Sequence, residues 1–111
     1  MDDRVDEWSP FEGGRSMGLV GSEAGVIVLD DELADGARIT IERNCQSAPY
    51  AITCGVYGWM VHTRFFSSET EARSECVKMK VALVRLVRTL TADDRDAAGA
   101  ACEEFTTLFP T

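Results

Sequence analysis

Histidine and long apolar runs are scarce in this chain, and each scarcity closes off a class of function. The only histidine is His62, so no cluster of imidazoles is available for metal binding or proton relay. The longest strongly apolar runs, Ala24 to Leu29 and Val81 to Val84, fall far short of the about 20 residues that a membrane-spanning helix needs. The first residues, Met-Asp-Asp-Arg, are acidic where a secretory leader starts positive and turns apolar. A cytoplasmic protein without membrane attachment is therefore expected. Its four cysteines (Cys45, Cys54, Cys76, Cys102) are then expected as reduced thiols behaving as small apolar residues.

Close cysteine pairs are also missing. Thiolate metal sites usually draw two ligands from one tight turn, whereas Cys45 and Cys54 are the nearest two here. Cys45, Cys54 and His62 form the least unfavourable metal set, and no metal or cofactor is expected. The acidic stretch Asp31–Asp35–Gly36–Glu42 has part of a calcium-loop spacing, but Leu33 stands where an oxygen ligand is required. Glycines 13, 14, 18, 21 and 25 lack the strand–loop–helix context and the Gly-Lys-Ser/Thr of phosphate loops. No paired carboxylates or nucleophile–base set is evident, so no catalytic residue is assigned.

What is present is an ordinary globular composition: 111 residues, 45% hydrophobic and 27% charged, enough for one core. The net charge of −8 is uneven. Residues 1–35 hold ten acidic and two basic residues, 36–91 hold four and eight, and 92–111 hold five and one. Overall acidity opposes indiscriminate binding to nucleic acid or anionic membranes, while the middle segment keeps a basic surface in play.

Residues 1–16 read as a mobile acidic arm whose apolar anchors are Val5, Trp8 and Phe11, and 17–111 read as one domain. Met17 to Val20 suggests a short edge strand. Val26 to Leu29 and Arg38 to Glu42 suggest a hairpin closed over an Asp35-Gly36 turn. Tyr50 to Val56 and Trp59 to Phe66 suggest a second hairpin around Tyr57-Gly58. A two-residue turn there pairs Val56 with Trp59, Cys54 with Val61, Ile52 with Thr63 and Tyr50 with Phe65 on an oily face. Thr53, His62 and Arg64 then fall on a wetter face, with His62 turned away from Cys54.

Ser68 and Glu71 form a capping box. Ala72, Cys76, Met79, Leu83, Leu86 and Leu90 then recur at helical spacing, and Thr91 with Asp94 opens a second helix containing Ala98, Ala101, Cys102 and Phe105. The expected fold is α+β: an antiparallel β-meander of four to five strands packed against one long helix, plus a short C-terminal helix.

Val77, Val81 and Val84 make a second apolar stripe on the long helix, to be covered by the C-terminal helix or by another chain. With Trp8 and Phe11 they form a candidate interaction surface. Thr53, His62 and Arg64 form a candidate polar site on the sheet. The residues suit a small non-catalytic interaction or regulatory protein, binding a protein partner or itself as a homodimer. One alternative is a nucleic-acid-binding module using the sheet face and the basic residues of 36–91. Another is a small-ligand protein or enzyme with a pocket between sheet and helix, near Tyr50, Trp59, His62 and Cys76.

Overall fold

The computed structural model describes residues 7–34, 36–90 and 95–111. The cap expected at Thr91 and Asp94, the turn residue Asp35 and the anchor Val5 lie outside them. Strands β1 (Trp8–Pro10), β2 (Val26–Leu33), β3 (Ala37–Arg43), β4 (Tyr50–Val56) and β5 (Met60–Phe66) are followed by helices α1 (Glu69–Thr89) and α2 (Arg95–Leu108). The strands form one antiparallel sheet in the order β1-β2-β3-β4-β5, with α1 across one face. The fold is thus α+β, a five-stranded meander under one long helix with a short second helix. No helix among the described residues is long and apolar enough to cross a membrane.

Helix α1 starts as its sequence dictates: Ser68 is the N-cap, and its hydroxyl accepts the Glu71 backbone N–H at 3.1 Å. The stripe Ala72, Cys76, Met79, Leu83 and Leu86 is buried against Ile39, Ile41, Ile52 and Cys54 of the central strands. Burying each large apolar side chain of this layer contributes about 1.5–3 kcal/mol, so the sheet–helix interface is the main source of stability. Cys76 is part of this core, and Tyr50 and Trp59 pack against it.

The first edge strand differs from expectation. Met17 to Val20 contributes only an isolated bridge, Val20 to Val26, while Trp8–Pro10 pairs with Leu33, Glu32 and Asp31. The sheet therefore begins inside the span expected to be a mobile arm. Trp8 supplies the reason: it pairs with Leu33, its indole is buried in the core that also holds Val84, and Lys80 Nζ lies 5.5 Å from the ring centroid. A strand of three residues is held by one large anchor.

The second hairpin is shifted by one residue. Val56 pairs with Met60, Cys54 with His62, Ile52 with Arg64 and Tyr50 with Phe66. Its loop is Tyr57-Gly58-Trp59, closed by the Trp59 N–H on the Val56 carbonyl at 2.9 Å, with Gly58 at φ +82°. A two-residue type I′ turn requires positive φ at Tyr57, which its Cβ opposes; the longer loop moves the left-handed position to glycine. Because side chains alternate along a strand, that one-residue shift turns the whole of β5 over. Met60, His62, Arg64 and Phe66 face the helices, and Val61, Thr63 and Phe65 face the other side.

Candidate functional site

The shift in β5 separates the expected polar site. Thr53 lies on the helix-free face, where its hydroxyl is 3.2 Å from that of Thr63. His62 and Arg64 lie on the helix side, where the last residues of the chain engage both. His62 Nε2 is 2.5 Å from the Phe109 carbonyl oxygen, and Arg64 Nε donates to the Pro110 carbonyl at 2.8 Å. Arg64 Nη1 also donates to Glu75 Oε1 at 2.9 Å, which compensates its buried charge.

His62 is therefore directly opposite Cys54, not turned away from it. The two still make a poor nucleophile–base pair. Burial pushes the Cys54 thiol up to about 12, leaving almost no thiolate near neutrality. Cys45 lies beyond the end of β3, and among the described residues no three His, Cys, Asp or Glu side chains are placed to hold a metal ion.

The expected interaction surface also divides. Trp8 and Val84 are in the core, Val81 is half-buried and Val77 is 58% exposed. Helix α2 packs against α1, with Ala82 and Leu86 facing Ala101, Phe105 and Leu108, and Val84 belongs to the same buried core as Trp8. Phe11 lies elsewhere, its ring stacked on the Arg38 guanidinium at 3.6 Å. Six of the eight basic residues in 36–91 (Arg38, Arg64, Arg73, Lys78, Lys80 and Arg88) lie beside carboxylates.

The helix-free face instead carries a cleft of about 880 Å³. Phe11, Ser16, Leu19, Val20 and Gly21 wall one side, and Tyr57, Gly58, Trp59 and Val61 wall the other. Arg38, Thr40, Thr53 and Gly55 form part of the floor. Gly55 creates much of the space. It sits between Arg38 and Val61 in register, and a Cβ built on it would touch only the Met60 carbonyl at 3.6 Å and Val61 Cγ2 at 3.9 Å. A strand residue without a side chain leaves a trough between two longer neighbours.

Two buried carboxylates fix the segment that walls the cleft. Asp30, 2% exposed, accepts from Ser16 Oγ (2.7 Å), Arg38 Nε (2.8 Å), Arg38 Nη2 (2.6 Å) and Thr40 Oγ1 (3.1 Å). Burial alone would raise its carboxyl, but these bonds and the charge of Arg38 hold it below its ordinary value. Glu42, 1% exposed, accepts the backbone N–H groups of Glu23 (3.1 Å) and Gly25 (3.0 Å). A β-bulge between Ile27 and Leu29 turns Ile27 onto this same face, where its backbone bonds to Gly18 and Leu19. Partial burial and the hydrogen bond that Tyr57 donates to Glu32 at 2.7 Å push its hydroxyl up to about 12, so it remains a donor.

Chemically, the cleft combines apolar walls with a few fixed polar groups. Asp30 is a weak base with its oxygens engaged, and the Glu42 carboxylate is enclosed by the loop 21–25; neither is placed to take a proton from a substrate. The sequence carried only faint signs of this site: Gly55 inside a strand, and the polar alternation Arg38–Thr40–Glu42. Asp30 was hidden in an acidic run that resembles a solvated turn. Comparison of the chain with protein-family models, curated proteins and solved structures finds no match.

Proposed function

We propose that this protein is a non-catalytic binding protein whose cleft on the helix-free face takes an apolar small molecule. The cleft carries this reading: about 880 Å³ walled by Leu19, Val20, Tyr57 and Val61 is of drug-sized ligand dimensions. Exposed Leu19, Val20 and Val61 around its mouth favour the same conclusion, since such grouped apolar side chains commonly mark a binding surface. Arg38, Thr40 and Thr53 supply the few polar contacts that would orient a ligand over an otherwise apolar trough.

The test is Gly55→Phe, which fills the trough without a backbone collision at Cβ. Anilinonaphthalene sulfonate, an aromatic fluorescent probe, is titrated into the native chain and the variant, with circular dichroism confirming the fold. Saturable binding by the native chain and at least about tenfold weaker binding by the variant are expected. Equal binding by both, or no saturable binding by the native chain, would overturn the assignment.

A further inference from the structure

We infer that β5 is a homodimerisation edge, pairing antiparallel with β5 of a second copy about a two-fold axis at Thr63. Strand β5 ends the sheet, and no described strand pairs with its outer side, so alternate N–H and C=O groups there lack a ladder partner. Protected edges are usually short, charged or interrupted by proline. The opposite edge, β1, has three residues and includes Pro10, whereas β5 runs seven residues as Met-Val-His-Thr-Arg-Phe-Phe with no acidic residue and no proline. In a protein of net charge −8, that is the segment least opposed to self-contact.

The strand is also self-complementary. Val61 is 78% exposed and Phe65 is 37% exposed, both on the helix-free face. A two-fold axis at Thr63 places Thr63 against its own copy, and sets Val61 opposite Phe65 of the second copy on both sides of the axis. An aromatic beside a β-branched residue is a favourable cross-strand pair, and it occurs twice. His62 and Arg64 point to the helix side and already bond to Phe109 and Pro110, so they do not obstruct these apolar pairs. Val61 also walls the cleft, so Phe65 of the second copy would extend that wall. The two sites would be neighbours in a continuous ten-stranded sheet.

Sedimentation equilibrium over a wide concentration range tests this, comparing the native chain with Val61→Lys and Val77→Lys. Both positions are exposed, so neither substitution disturbs the core. Val61→Lys counts twice in a two-fold dimer and is expected to weaken association about 100-fold, about tenfold per site, while Val77→Lys leaves it unchanged. Thr63→Cys in a Cys45→Ser background is expected to oxidise to a covalent dimer, because paired Cα atoms about 5.5 Å apart are within disulfide reach. A native chain of monomer mass at every concentration, a dimer that survives Val61→Lys, a dimer split by Val77→Lys, or no Thr63→Cys cross-link would overturn the inference.

Discussion

Replacing Asp30 with asparagine keeps the shape of the side chain and removes its charge, which isolates the network that ties Ser16 to the sheet. The two bonds from Arg38 are charge-assisted, each contributing about 1.5–3 kcal/mol when desolvated. The Arg38 side chain is 35% exposed, so solvent screening reduces that sum to about 2–3 kcal/mol. The asparagine amide would also turn a donor toward Ser16 or Arg38, leaving a total loss of about 2–4 kcal/mol. For a chain this size that lowers Tm by roughly 8–16 °C. Urea unfolding followed by tryptophan fluorescence reads the difference. It carries a pH signature: the folded carboxyl titrates below its ordinary 3.8, so its stabilisation is complete above that value and is lost as pH falls through and below it. The gap between native chain and variant is thus expected to hold steady down to about the ordinary carboxyl value of 3.8 and to narrow progressively as pH falls below it. Faster amide exchange at Gly18, whose N–H bonds to Ile27, should accompany the loosening of the cleft wall. A gap below about 0.5 kcal/mol at neutral pH, or one that does not narrow in acid, would refute the assigned role of the network.

Two further substitutions probe the parts that shape the fold around the cleft. Gly25→Ala places a Cβ 2.7 Å from the Arg43 carbonyl oxygen and 2.7 Å from Cys45 Sγ, and the backbone contact cannot yield easily. A loss of about 1–3 kcal/mol in chemical denaturation is expected, and a neutral result would show that the loop over Glu42 is more pliant than its packing indicates. Trp8→Ala should cost about 3–5 kcal/mol by emptying the space between β1 and α1, whereas Trp8→Phe should cost far less. The indole N–H of Trp8 has no hydrogen-bond partner among the described residues, so phenylalanine forfeits packing volume but no bond; thermal melts that rank the two variants equally would contradict this.

The local and periodic features were legible in the sequence because they depend on neighbours in the chain. Ser68 and Glu71 predicted the start of α1, and the spacing from Ala72 to Leu86 predicted the face it buries. Short alternating segments predicted antiparallel strands, and their order predicted a meander under a long helix. Which way β5 faces was decided by the tertiary structure. The register counted from apolar residues alone favoured Val61 and Phe65 inside, but Gly58 accepts positive φ more readily than Tyr57 and shifts the turn by one residue. Arg64 can then be buried and His62 half-buried because Glu75, Phe109 and Pro110, distant in sequence, supply their partners. The cleft depends on such distant partners too. Asp30 and Glu42 are ordinary charged residues until Ser16, Arg38, Thr40 and the amides of Glu23 and Gly25 converge on them, and no local pattern encodes that convergence.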